Sequence, residues 1–179
     1  MDSKTLDDMK KDVTRLETIT ERFSKIGSIP ELVPKSILTV LDESLDYMRS
    51  RSSKKVTFSL HANCDKNTIV PINVALFAWV IENLCRNAID AMEGIGAINV
   101  AISESPQTVT IDISDTGKGI PRLKYDAIFQ PGYTSKKRGW GLGLSLTKRI
   151  IEQYHQGKVF VKESEIGKGT TFRIVLNKA

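Results

Sequence analysis

One stretch narrows the choice of folds more than any other: "FAWVIENLCRNAIDAME", residues 77–93. Phe77, Val80, Ile81, Leu84, Ala88 and Ala91 recur at helical spacing and form one apolar stripe. The pattern predicts a long helix opened by Pro71, running to about Met92 and ended by "GIG" at 94–96. Such a stripe has to be buried against a second layer. The following residues supply one. "AINVAIS" and "TVTIDIS" alternate apolar and polar positions as strands do, and "ESPQ" joins them as a hairpin. "KVTFSLHA" (55–62) alternates in the same way, and "GKVFVKES" with "GTTFRIVL" reads as a closing hairpin. Ser36 is placed to N-cap another helix, with Leu38, Leu41, Leu45 and Met48 turned inward. Helices and antiparallel strands mixed in this way predict an α/β (α+β) two-layer sandwich.

Residues 3–26 differ. Leu6, Met9, Val13, Leu16, Ile19, Phe23 and Ile26 keep close to a heptad seam. This predicts one N-terminal amphipathic helix that packs on a partner helix, in this chain or another. "GSIPELVP" (27–34) breaks it, which sets the expected domains at 1–30 and 31–179. The 179 residues, 40% hydrophobic and 26% charged, suit one globular domain with an appendage. A net charge of +5 without a Lys/Arg run and interleaved aromatics gives no reason to expect nucleic acid. Cys64 and Cys85 lack metal-ligand spacing and read as reduced thiols. The longest apolar run, "VALFAWVI", is too short to cross a bilayer, and the charged N-terminus has no signal-peptide core. The expectation is a cytoplasmic segment without membrane contact.

Four motifs carry chemistry. On the long helix, Asn83, Asn87 and Asp90 share a stripe apart from the apolar one. Asparagines one turn apart are poor helix formers. They mark either a solvated face or an amide oxygen offered to a hard cation such as Mg²⁺. "DTGKGI" (115–120) follows a strand directly, so Asp115 could accept from an exocyclic amine such as adenine N6 beneath a sharp turn, or the turn could be only a turn. "IFQPGYTSKK" (128–137) reads as a surface loop with Phe129 plugging the core, or as a lid with Lys136 or Lys137 reaching a phosphate. "GWGLGL" places Gly139, Gly141 and Gly143 at the mouth of a helix, as a hinge or as backbone donors for polyphosphate. It is neither a Walker A loop nor a dinucleotide fingerprint.

In this order the four motifs resemble the ATP-binding domain of bacterial sensor histidine kinases, within the wider GHKL group that includes type II topoisomerases and mismatch-repair ATPases. "ENLCRNAIDAM" resembles the N box, "DTGKGI" the G1 box, "IFQPGYTSK" the F box and "GWGLGLSL" the G2 box; "GKGTTFRIVL" matches the usual closing strand. The resemblance covers about 36–176 and implies a Bergerat-type ATP-binding fold, a mixed sheet backed by helices. It implies Asn87 as Mg²⁺ ligand, Asn83 at the phosphate end, and Asp115 reading adenine with Gly117 and Gly119 shaping its pocket. Gly141 and Gly143 would approach the phosphates, and Thr170 would join the adenine water network. Asp90, Ile120, Gly139, Leu142 and Leu144 complete the implied ATP-binding set, with Lys136 beside Asn83 and Asn87 as a catalytic candidate. The lid is short, as in nitrogen-regulatory sensor kinases.

The same resemblance asks for a phosphoacceptor histidine in a helical hairpin. Only His61, in an expected strand, and His155, near a helix end, are available, and neither has that context. "RLETITERFSKIGSIPEL" resembles the second helix of such a hairpin. The expectation is therefore a piece of a longer sensor kinase, homodimeric when complete. It would transfer the ATP γ-phosphate to a histidine on a separate phosphoacceptor domain, and from there to a response regulator. The alternatives are an anti-sigma-factor-type serine kinase and a non-catalytic GHKL nucleotide-binding module. A Glu82 with Arg86 helical pair is preferred over Glu82 as a base.

Overall fold

The computed structural model describes residues 30–135 and 140–178. The amphipathic helix expected over 3–26, and Lys136, Lys137 and Gly139, lie outside the described residues. All elements named below belong to the compact unit Leu32–Ala179.

Strand β1 (Val33–Ser36) leads into helix α1 (Ile37–Arg51), and Ser36 caps it, its side chain accepting from the Thr39 N–H at 3.4 Å. Strands β2 (Val56–Asn63) and β3 (Ile69–Ile72) precede helix α2 (Val74–Ala91). Strands β4 (Gly96–Glu104) and β5 (Thr108–Asp115) form the expected hairpin. Two 3₁₀ turns follow, Arg122–Lys124 and Ala127–Phe129. Helix α3 (Gly143–Arg149) runs into a π-helical turn, Ile150–Tyr154, and β6 (Lys158–Glu165) with β7 (Gly169–Asn177) closes the fold.

Pro71 does not open α2. It lies in β3, opposite Pro34 of β1, in a two-stranded antiparallel ribbon. Neither proline has an N–H to give, and a two-stranded ribbon offers edge positions where none is required. The start of α2 belongs to Asn73, whose Oδ1 accepts from the Leu76 N–H at 3.1 Å. A cap of this kind is worth about 1 kcal/mol.

The five-stranded sheet has the order β2-β4-β5-β7-β6, with β2 and β4 parallel and the other pairs antiparallel. The parallel pair is the one whose connection contains α2, as a crossover of that length requires. The mixed sheet backed by helices is thus present. Ile98, Val100 and Ile102 of β4, Val109, Ile111 and Ile113 of β5, and Ile174 and Leu176 of β7 share one buried core with Phe77, Val80, Ile81 and Leu84 of α2. Each such side chain contributes about 1.5–3 kcal/mol on burial. Ala91 ends the stripe only half-buried. The opposite face of the sheet is polar. There Asp112 accepts from Nε and Nη2 of Arg173, both at 2.7 Å, and from Lys162 at 3.0 Å. The Arg173 guanidinium, aided by Lys162, holds the Asp112 carboxyl below its ordinary value despite partial burial. No helix among the described residues is long and apolar enough to cross a membrane.

Candidate functional site

The alternation that turns Val109, Ile111 and Ile113 into the core puts a carboxylate at the next inward position, Asp115, where β5 ends. Asp115 is 8% exposed and stands opposite Thr170 of β7, itself buried. It accepts from the Gly117 N–H at 2.8 Å. Burial pushes its carboxyl above the ordinary value, and hydrogen bonds from the Gly117 and Thr170 backbones draw it partly back.

The loop beyond Asp115 is fastened on two sides. The Lys118 N–H donates to the Ala91 carbonyl at 3.0 Å, which ties the loop to the end of α2. Gly119 lies against the Glu165 backbone, and the Ile120 N–H donates to Ser164 Oγ at 2.7 Å. Ser164 Oγ donates to the Gly169 carbonyl and lies 2.9 Å from Thr170 Oγ1. Tyr125 donates its hydroxyl proton to the Ser164 carbonyl at 3.1 Å. Asp115, Gly117, Gly119, Ile120 and Thr170, scattered over 56 positions of sequence, thus meet in one hydrogen-bonded cluster.

A second cluster forms where α2 faces α3. Asn83 donates from Nδ2 to Thr147 Oγ1 at 2.9 Å. Gly143 makes room for that amide: a Cβ there would stand 2.4 Å from Asn83 Oδ1. Gly141 has φ +64°, and a Cβ on it would come within 2.4 Å of the Gly132 carbonyl carbon. The Gly132 N–H donates to the Gly141 carbonyl at 3.0 Å, so the two glycine backbones clasp. Leu142 precedes α3, its carbonyl accepting from the Leu146 N–H and the Ser145 hydroxyl, and Leu144 packs half-buried against the core. Phe129 plugs the core as expected, its ring edge-on to Phe172 at 6.3 Å.

Helix α2 connects the clusters. Asn83 is in the second, Ala91 touches the first, and eight residues of helix separate them by about 12 Å. Asn87 is half-buried and Asp90 exposed on the intervening turns. Glu82 forms the expected ion pair with Arg86, at 2.5 Å.

Three residues with a part here were given none by the motifs: Thr147, Ser164 and His155. Thr147 is a polar residue among the apolar positions of α3, which was a usable signal. Ser164 had none, because its value comes from pairing with β7. His155 is buried at the junction of α3 and α2. It accepts at Nε2 from the Asn73 N–H at 3.1 Å, and its Nδ1 lies 2.9 Å from the Ile150 carbonyl. That pair of contacts puts the single ring proton on Nδ1. Burial pulls the imidazole below its ordinary pKa, against the two backbone hydrogen bonds. The His155 N–H also reaches Ile150 at 3.1 Å, the bond that makes the turn π-helical. His61 sits on β2, exposed.

Residues 72–179 match the family model described as histidine kinase-, DNA gyrase B-, and HSP90-like ATPase. The sensor histidine kinase ZraS of Escherichia coli K12 is 33% identical over 171 residues, covering 94% of this chain and 36% of that protein. Sporulation kinase C of Bacillus subtilis is 31% identical over 144 residues, 79% of this chain and 31% of that protein. The chain therefore spans about a third of the length of these relatives. The solved catalytic domain of histidine kinase ThkA superposes with a TM-score of 0.75 at 25% identity, covering 83% of this chain and 97% of that one.

Proposed function

The chain belongs to the family of histidine kinase-, DNA gyrase B-, and HSP90-like ATPases, and from that premise we propose that residues 31–179 are the ATP-binding catalytic domain of a two-component sensor histidine kinase. Residues 1–30 would be the second helix of a dimerisation hairpin and its hinge. The observation that carries the reading is Asp115: a buried carboxylate at the end of a central strand, beneath a glycine loop and beside a hydroxyl network. A charge held there at a cost in solvation suits recognition of a base amine better than it suits packing. The adenine would sit on the cluster of Asp115, Gly117, Gly119, Ile120 and Thr170. The triphosphate would run along α2 past Asp90 and Asn87 toward Asn83, Gly141, Leu142, Gly143 and Leu144; Gly139 and Lys136, outside the described residues, join this set by their motifs alone.

Asn87 fits a Mg²⁺ ion: it offers one neutral amide oxygen, and Mg²⁺ keeps several waters and takes phosphate oxygens for the rest. Bound there, Mg²⁺ would neutralise charge on the β- and γ-phosphates. The protein's own part is orientation, with backbone donors and Asn83 fixing the phosphate end. His155 has both ring nitrogens engaged and His61 projects from a strand, so the accepting histidine belongs to a phosphoacceptor domain outside these residues. Its ring nitrogen attacks the γ-phosphorus in line, the bond to the ADP oxygen breaks, and the phosphate passes on to a response regulator. The ThkA chain crystallised with the response regulator TrrA shares this fold over 51% of its length, with a TM-score of 0.79 at 23% identity. Calorimetric titration of ATP and ADP, with and without Mg²⁺, tests the reading. Binding is expected to weaken with Asp115→Asn in either condition, and with Asn87→Ala only when Mg²⁺ is present. Absence of binding at millimolar nucleotide would overturn it.

A further inference from the structure

We propose that Thr147 is a positioning residue for the phosphate end of the site, acting through Asn83; this rests on the nucleotide-binding reading above. Thr147 has no exposed surface, yet it places a hydroxyl between two helices. Its Oγ1 accepts from Asn83 Nδ2 at 2.9 Å. Engaging the amide nitrogen fixes which way the carboxamide faces: Oδ1 turns to the one place on α3 with no side chain in the way, Gly143. One buried hydroxyl thus sets the orientation of Asn83 and ties α3, one turn above Gly143, to the middle of α2. Gly141 and Gly143, the backbone offered to the phosphates, lie just before and at the start of that helix. Asn87 lies one turn along α2 from the latch.

The structure also says which substitution reports the latch. Valine keeps the shape of threonine and loses the hydroxyl, whereas serine keeps the hydroxyl and loses the methyl. If Thr147 only fills space, Thr147→Ser is the damaging change and Thr147→Val is neutral. If it positions Asn83, the order reverses. Titration of MgADP is expected to show Thr147→Val weakened about tenfold, the effect of one buried hydrogen bond left unmade, with Thr147→Ser within about twofold of wild type. Because the effect passes through Asn83, Asn83→Ala combined with Thr147→Val should bind no more weakly than Asn83→Ala alone. Wild-type affinity in Thr147→Val, or a double variant carrying both losses in full, overturns the positioning role while leaving the functional reading intact. A wild-type chain that binds no nucleotide overturns the functional reading, and this role with it.

Discussion

The two ends of the site are built by different means. At the Asp115 end most contacts have a backbone group on at least one side and rest on strand pairing: the Gly117 N–H to Asp115 Oδ1, Lys118 to the Ala91 carbonyl, the Ile120 N–H to Ser164 Oγ, and β5 beside β7. At the Asn83 end, one side-chain bond joins two helices and the backbones of Gly132 and Gly141 clasp. The first end is preorganised by the sheet, so it can hold an unfavourable buried charge. The second depends on contacts that can open singly, which suits the part of a site that must admit and release a long ligand.

The largest effect should come from the preorganised end. Asp115→Asn is expected to lower nucleotide affinity by about a hundredfold, as loss of a charged hydrogen-bond acceptor does. Its melting temperature should not fall, because the variant no longer buries a charge. A drop of several degrees would mean that Asp115 is structural and would erase the contrast.

Gly141→Ala tests the other end. The positive φ alone costs about 1–2 kcal/mol, and the new Cβ would strike Gly132. Denaturant titration should show at least that loss, and nucleotide binding should fall for ATP more than for adenosine. Equal losses for both ligands would mean that the clasp supports the whole pocket and not one end.

The smallest effect distinguishes the two buried titrating groups by sign. Asp115 has a raised folded value, so its contribution to stability is full below its unfolded pKa of 3.8 and is lost as pH rises through the folded value. His155 has a lowered folded value, so its contribution is full above 6.5 and is lost as pH falls toward the folded value. Asp115→Asn should therefore gain on wild type as pH rises from 4 toward neutrality. Acidification below 6.5 should destabilise wild type by at most about 1.4 kcal/mol per pH unit from this group. Thermal melts across that range check both signs, and an Asp115→Asn variant insensitive to acidification between 6.5 and 5 would remove His155 from the account.

Most of the sheet was legible because period-two alternation is local: β4, β5, β6 and β7 fall where "AINVAIS", "TVTIDIS" and the closing hairpin put them. Pro71 was misread because a proline before an apolar run is a good helix opener, and nothing local announces that β1 will pair with it. The residues of the Asp115 cluster were visible as motifs, but Ser164, which ties them together, was not. The Asn83 to Thr147 bond spans 64 positions, and no window of sequence contains both partners. Gly141 was read as a hinge or as a backbone donor for polyphosphate; the structure also sets it against Gly132.

The order of strands has a consequence for how the protein is made. β7, which follows the other four strands of its sheet in the sequence, is inserted between β5 and β6, and carries Thr170 to the side of Asp115. Until residues 169–177 have left the ribosome, β5 has only β4 beside it, and the carboxylate at its end stays open to water. The pocket is therefore finished in a single late event, the closure of a loop of about 55 residues between two strands, whose cost in entropy grows only slowly with its length. On the reading proposed above, the Asn83 end can form first, and the Asp115 end is completed only when β7 pairs with β5.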